Sequence, residues 1–464
     1  MRTLFSALFF GLCLLSQTAT AGLPKTVREE LSRANIPLGS VGIVVQDTQA
    51  HRAIISHNAK LIMNPASTMK LLTTFAGLEM LGPAYRWRTE VYLDGKLEGG
   101  ILHGNLVFKG YGDPKLTVEQ FWLWLRELRQ RGLREIRGDV VLDRSFFDAF
   151  NYDPSAFDND PTRAYNVSPN ALLLNFNALH LRLIPNATQT SALLEPDLSG
   201  YAISNRVTTD AQQPCNGGDT YKAHLEKRTI VLDGTIPVDC GEVEDFFSLL
   251  PHDEYFFAVF SAIWKELGGT LQGKLREGSA PANQVVFATH VSPPLSEVIR
   301  DINKFSNNTM ARQLFLTLGT TDGLPANTAR STAAVQQWLA KQQLDFPELV
   351  LENGSGLSRT ERISPQHLAG ILHHAAHSPF SAELEASLPI LGMDGTVKKR
   401  FKDSEIAGQA HLKTGTLDGV KSFAGYIHAQ SGKTWIAVFI INHPNAALGQ
   451  PAQDALIEWL QKHY

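Results

Sequence analysis

Helices packed on an antiparallel sheet built from both chain ends, an α/β arrangement of the α+β type with a strand-rich insertion, is what the 464-residue sequence predicts. Three observations carry it. Alternating apolar runs of strand length stand near both termini, at 40–46 and 52–56 and again at 423–428 and 434–442. Helical patterning dominates from about residue 249 onward. Between these parts, the chain from Trp87 to about Asp143 is rich in strand signals. A chain of this length exceeds what one core normally holds, so two or three domains are expected.

Residues 1–21 have the pattern of a secretory signal. Arg2 supplies the positive start, 4–15 an apolar run too short to span a bilayer, and Ala19-Thr20-Ala21 a cleavage site. Cys13 leaves with that segment, and no later stretch is apolar enough for a transmembrane anchor. A surface helix is expected at 26–35, then the strand pair across Asp47-Thr48-Gln49-Ala50. Pro65 suits a first helical turn, and Gly82-Pro83 stops the helix that follows at about Leu81.

The insertion is expected at 87–248, as two nested pieces, leaving 22–86 and 249–464 to the sheet domain. It carries a helix at 118–131, an irregular aromatic and Asp/Pro-rich stretch at 146–170, and strands at 178–183 and 228–238. Cys215 and Cys240 read as one disulfide in an exported chain, the alternative being two free buried thiols. Helices are expected at 255–267, 295–318 and 326–341, a glycine-spaced loop at 352–359, a turn-rich segment at 388–400 and a terminal helix at 452–463.

The chemistry concentrates in three motifs. Ser67-Thr68-Met69-Lys70 places a hydroxyl and an amine one turn apart on one helix face, a nucleophile with its own base. A lysine in a partly dry site loses its proton readily. Lys413-Thr414-Gly415-Thr416 opens the closing strand pair, and Ser306-Asn307-Asn308 lies between the two within the 295–318 helix. Ser56 and Ser168 also open S-x-N matches; Ser306 is preferred because 299–318 reads as helix around it and the order Ser-Lys, Ser-x-Asn, Lys-Thr-Gly is then kept. Several classes are excluded or disfavoured. Lys plus Arg number 42 against 46 Asp plus Glu, giving −4 without a basic patch for nucleic acid. There is no G-x-S-x-G elbow, no Walker loop and no dinucleotide fingerprint. His373-His374-Ala375-Ala376-His377 lacks the glutamate of H-E-x-x-H and reads as a helix-surface cluster rather than a metal site.

With the trio stand Gly110-Tyr111-Gly112-Asp113-Pro114, the stretch from Asp160 through Tyr165 to Ser168-Pro169, Gly354-Ser355-Gly356-Leu357-Ser358-Arg359 and Met393-Asp394-Gly395-Thr396. On these residues the chain resembles the D-alanyl-D-alanine carboxypeptidase/endopeptidases, the class C low-molecular-mass penicillin-binding proteins, over nearly its whole length after the signal. The resemblance implies a β-lactamase-like catalytic domain with nested accessory domains, a periplasmic location, and peptidoglycan stem peptides and β-lactam antibiotics as partners, with no metal or organic cofactor. It implies Ser67 as nucleophile, Lys70 as base, Ser306 as proton relay near Lys413, and Asn308 holding a substrate amide. It assigns Lys413 and Thr414 to the terminal carboxylate, with Gly415 beside them, and the N–H groups of Ser67 and Thr416 to an oxyanion hole. For the diaminopimelate side chain of the stem it offers Asp160, Tyr165 and Arg359. Asp418 departs from relatives that carry glutamine after K-T-G-x-x, and its charge could repel the distal carboxylate or hold Arg359. No E-x-x-L-N element is present, which favours a peptidase over a β-lactamase. An inert peptidoglycan-binding protein, and an esterase or β-lactamase on the same fold, are the alternatives.

Overall fold

The computed structural model describes residues 22–148, 152–215, 220–320 and 324–464, so the signal segment lies outside the described residues. Both chain ends meet in one five-stranded antiparallel sheet, in the order Ala410–Leu417, Val420–His428, Thr434–Asn442, Val41–Asp47, Ala53–His57. The register from Val41 opposite Ile441 to Asp47 opposite Trp435 joins the two termini.

Thr434–Asn442 (TWIAVFIIN) shows why this strand is central. Trp435, Ala437, Phe439 and Ile441 face helices Lys25–Arg33 and Gln450–His463, whereas Ile436, Val438 and Ile440 face the helices on the other side. A strand covered on both faces reads as a continuous apolar run. The second face carries Lys70–Leu81, Leu295–Lys304, Asn308–Leu318, Thr328–Lys341 and Pro365–Ala376. Lys413 sits in the middle of the edge strand, rather than at its start.

The inserted part leaves this domain at Arg88 and returns at Val291, two residues paired in adjacent antiparallel strands. A seven-stranded sheet takes in Arg88–Glu98, Ile101–Gly110 and Val140–Asp143 together with Thr270–Leu271, Leu275–Glu277 and Ala288–Val291. Helix His252–Glu266 packs Tyr255, Phe256, Phe260 and Trp264 against Phe108, Phe121 and Trp124 of that same body. We therefore place the end of the insertion at about residue 291 rather than 248. A helix-period apolar pattern reveals that a helix is buried, but not which core buries it. Two three-stranded sheets, formed from strands between Leu179 and Phe247, sit nested within it.

Cys215 is bonded to Cys240. The bond closes a loop within the nested strands, so the unfolded insertion is cross-linked and loses chain entropy. Replacing both cysteines by alanine should lower the stability of the inserted body by about 3 kcal/mol while the sheet domain unfolds as before. Denaturant titration of both proteins, followed by tryptophan fluorescence and circular dichroism, measures this. Two free thiols in the unreduced, unfolded chain would contradict it.

Candidate active site

The turn before Ser67 is fixed by side-chain amides. Asn64 Oδ1 accepts from the Ala66 N–H at 2.8 Å, and Asn64 Nδ2 donates to the Ser358 carbonyl at 2.8 Å. Asn442 clamps the Asn64 backbone through both its N–H and its carbonyl. Held this way, Ala66 adopts a left-handed φ of 48°. The predicted helix then begins differently: Ala66–Met69 forms a 3₁₀ turn, and the α-helix proper runs Lys70–Leu81. In a 3₁₀ turn residues three apart eclipse, which sets Lys70 directly over Ser67.

Lys70 Nζ lies 2.9 Å from Ser67 Oγ, donates to Asn308 Oδ1 at 2.6 Å, and donates to the Ser355 carbonyl. Burial lowers its pKa first, followed by the positive charges of Lys413 and Arg312, with the Glu361 carboxylate opposing. A neutral amine has two N–H groups and one lone pair. The two acceptors Asn308 Oδ1 and Ser355 O take the N–H groups, which leaves the lone pair for the Ser67 hydroxyl proton.

The predicted helix over 295–318 is broken. Leu295–Lys304 and Asn308–Leu318 are separated by a corner at which Ser306 takes φ 57° and Asn307 caps the second helix by accepting from the Met310 N–H. The corner turns Ser306 Oγ toward Lys413 Nζ, which donates to it at 2.9 Å and to the Thr414 carbonyl at 2.7 Å. Burial alone brings the Lys413 pKa down to about 7. Gly415 lets the strand run against the Ser67 turn: a Cβ there would stand 2.9 Å from both the Ser67 nitrogen and the Pro65 carbonyl. Ser422 on the neighbouring strand donates to that Pro65 carbonyl at 2.7 Å.

The loop at 352–356 closes the third side. A Cβ on Gly356, at φ 77°, would stand 2.0 Å from the Ala66 carbonyl oxygen. The fully buried Glu361 carboxylate accepts from the N–H groups of Glu352, Asn353 and Gly354 on one oxygen and of Gly356 on the other. Burial raises its pKa, against the pull of those backbone donors. Glu361 thus shapes the loop whose Ser355 carbonyl holds Lys70. Arg312, buried in the helix after Asn308, donates to the Tyr165 and Val167 carbonyls and ties that segment of the insertion to the site. Neither residue stood out in the sequence, where each is one more charge in a mixed stretch.

Ser67, Ser306, Asn308, Thr414 and Thr416 line one groove of about 510 Å³, walled by Phe157, Tyr165 and Leu357. Thr396 Oγ1 is 2.7 Å from Thr414 Oγ1 at its rim. The residues offered for a side-chain subsite are placed less uniformly. Tyr165 lines the groove, and its hydroxyl donates to Asp158 Oδ2 at 2.7 Å. The Asp160 carboxylate is not among the lining groups; it accepts from the Thr162 hydroxyl at 2.6 Å and from Arg163 Nε at 2.9 Å. Arg359 stacks over Phe157 at 4.6 Å and donates to Asp418 through the main-chain carbonyl at 3.1 Å, not through the carboxylate.

The buried lysines make stability depend on pH. Unfolding returns Lys413 from about 7 to the ordinary lysine value of about 10.4. Between those values the unfolded chain binds more protons than the folded one, so stability rises with pH. Lys413→Met removes that contribution and also relieves Lys70 of a like charge, a change of the same sign. The native protein should therefore gain on Lys413→Met as pH rises from about 7 to 10, by up to ~1.4 kcal/mol per pH unit. Urea unfolding of both proteins across this range checks it.

A model of the D-Ala-D-Ala carboxypeptidase 3 (S13) family matches residues 23–463. A D-alanyl-D-alanine carboxypeptidase of Haemophilus influenzae is 28% identical over 425 residues, 88% of this chain and 86% of that protein. One from an Actinomadura species is 28% identical over 432 residues, 89% of this chain and 80% of that protein. The crystal structure of penicillin binding protein 4 from Haemophilus influenzae superposes with a TM-score of 0.78 at 26% identity, covering 94% of this chain and all of that one. A further structure of that protein, with a TM-score of 0.74 at 25% identity and the same coverage, is a complex with a β-lactam. With the family match running from one end of the sheet domain to the other, the chain belongs to the D-Ala-D-Ala carboxypeptidase 3 (S13) family of serine peptidases.

Proposed function

We propose that Ser67 cleaves the bond between two D-alanines of a peptidoglycan stem peptide, as carboxypeptidase or endopeptidase, and is acylated by β-lactams at the same atom. The observation that carries this is the 2.9 Å contact between Ser67 Oγ and the buried Lys70 Nζ, whose other neighbours are acceptors. Lys70 takes the hydroxyl proton as Oγ attacks the carbonyl carbon. The oxyanion is stabilised by the N–H groups of Ser67 and Thr416, each donor contributing on the order of 3 kcal/mol. Collapse breaks the C–N bond, and Ser306, next to Lys413, relays a proton to the leaving amine. Water then attacks the acyl-enzyme: its hydroxyl joins the acyl carbon as the ester bond to Ser67 Oγ breaks, and its other proton passes through Lys70 to restore the Ser67 hydroxyl.

Lys413 and Thr414 receive the terminal carboxylate, and Asn308 the substrate amide. The work is done in the periplasm, where the signal segment sends the chain. A relative's β-lactam complex supports the antibiotic as a ligand here.

Fluorescent penicillin should label the protein in a one-to-one ratio, with the adduct on the peptide that contains Ser67, and Ser67→Ala should abolish both labelling and release of D-alanine from a pentapeptide. An adduct on another residue would overturn the assignment. Rapid turnover of the drug would instead indicate a β-lactamase.

The family resemblance gives Asp160 and Arg359 to the distal ammonium and carboxylate of diaminopimelate. For Asp160 this requires a substrate ammonium to compete with Arg163. Asp160→Ala and Arg359→Ala should each raise KM for diaminopimelate peptides about tenfold, the scale of one charge-assisted contact. Acylation by benzylpenicillin, which lacks that group, should stay within about twofold. Parallel losses on both substrates would assign the residues to the fold.

A further inference from the structure

A second cluster of ligand-type side chains stands on the sheet close to Lys413. His411 precedes Lys413 by two residues in Ala410–Leu417, and His428 ends the adjoining strand Val420–His428. The register pairs His411 with Tyr426, so His428 lies diagonally across from His411 on the same sheet face. Glu385, from helix Ser381–Ser387, completes the group. One ligand atom from each of the three lies within 4.8 Å of the others. All three side chains are half-buried, so an ion can reach them.

The partners around the cluster orient it. Glu385 Oε1 is 2.6 Å from His428 Nε2, and His428 Nδ1 is 3.1 Å from Thr434 Oγ1. His411 Nδ1 is 3.1 Å from the Glu385 main-chain carbonyl. A carbonyl only accepts, so that bond puts the proton on Nδ1 and leaves Nε2 as the lone-pair nitrogen. Thr434 can likewise accept from His428 Nδ1–H, which would free His428 Nε2 for a ligand role. Hydrogen bonds of this kind to the far ring nitrogen are the usual outer support of a metal-bound histidine. The nearby Lys304 ammonium is taken up by Asp394 at 2.6 Å. A plain ion pair between Glu385 and His428 accounts for two of the residues, and the His411 bond to the Glu385 carbonyl leaves its other ring nitrogen, Nε2, as the lone-pair donor to the cluster.

We infer that Glu385, His411 and His428 form a binding site for a divalent transition-metal ion of the zinc type, separate from the serine chemistry. Two imidazoles and one carboxylate are a zinc donor set, with room for a water as fourth ligand. Bonds of about 2.1 Å require the donors to draw together by roughly 1 Å, within the reach of side-chain rotation. The ion would join helix Ser381–Ser387 to the two strands. That helix is already tied through Ser387 to Asn303, at 2.8 Å, in the helix that leads to Ser306. Occupancy would therefore stiffen the Ser306–Lys413 side of the groove without touching the substrate.

The test uses untagged protein starting at Gly22, stripped with a chelator and titrated with Zn²⁺ against a chromophoric competitor. One Zn²⁺ per chain should bind with a dissociation constant of about 1 μM or tighter, and His411→Ala/His428→Ala and Glu385→Gln should each weaken it at least about tenfold. Co²⁺ bound at the site should show the visible absorption of a four- or five-coordinate ion. Penicillin labelling of each variant reports that the fold is intact, and Glu385→Gln alone serves if the histidine pair does not fold. His373→Ala/His377→Ala, in the other histidine cluster, should leave the tight equivalent in place. No saturable binding below about 100 μM, binding that survives the three-residue substitutions, or binding lost with His373 and His377 would each overturn the inference.

Discussion

Lys70 is fully buried, and much of the architecture around it serves to meet the needs of a buried amine. Its amine is reached by three chain segments far apart in sequence: the turn of Ser67, the helix start at Asn308, and the carbonyl of Ser355. Each segment is held by its own device, namely the Asn64–Asn442 clamp, the Asn307 cap, and the Glu361 carboxylate among four backbone N–H groups. Burying an amine is costly unless its hydrogen bonds are met; these contacts meet them, while burial itself and the charges of Lys413 and Arg312 lower its pKa. The depressed basicity is thus a property of the assembled domain and not of the four-residue motif.

That division explains what the sequence disclosed. The five-stranded sheet was legible because its strands are apolar runs of the right length, and the terminal pairing followed from needing one core. Ser67, Lys70, Ser306, Asn308 and Lys413 could be picked out because their order and spacing repeat a known pattern, and the structure brings all five around one groove. The corner at Ser306 was read through, although Ser306-Asn307-Asn308-Thr309 are weak helix formers of the kind that start a helix; the apolar pattern continues on both sides of them, and local preference says nothing of the Lys413 contact that accompanies the left-handed serine. Glu361 and Arg312 were equally silent, because a buried charge and a solvated one look alike in a sequence.

The insertion shows the same limit on a larger scale. Its first strands are plain in the sequence, yet two later ones, Thr270–Leu271 and Leu275–Glu277, are too short to register as strands and acquire their identity by pairing with Glu135–Ile136 and Val140–Asp143. The aromatic helix His252–Glu266 likewise belongs to whichever core offers Phe108 and Phe121 a partner. Arg312 and the Tyr165 segment then connect this body to the groove, so the inserted residues contribute one wall of the cleft they interrupt.

Arg88 and Val291, where the chain enters and leaves that body, are cross-strand neighbours, and Trp87 is bonded through its carbonyl and its N–H to Ser292. Some two hundred residues are therefore joined covalently to the sheet domain through one two-stranded junction, with Arg312 and Gln313 bonding them to it again at 165–170. Seen from the sheet domain, the whole lobe occupies the place of a hairpin turn. Lobes joined in this way can be lengthened or shortened away from the groove without re-threading the domain that bears them, because the chain crosses between the two only at a pair of adjacent backbone ends.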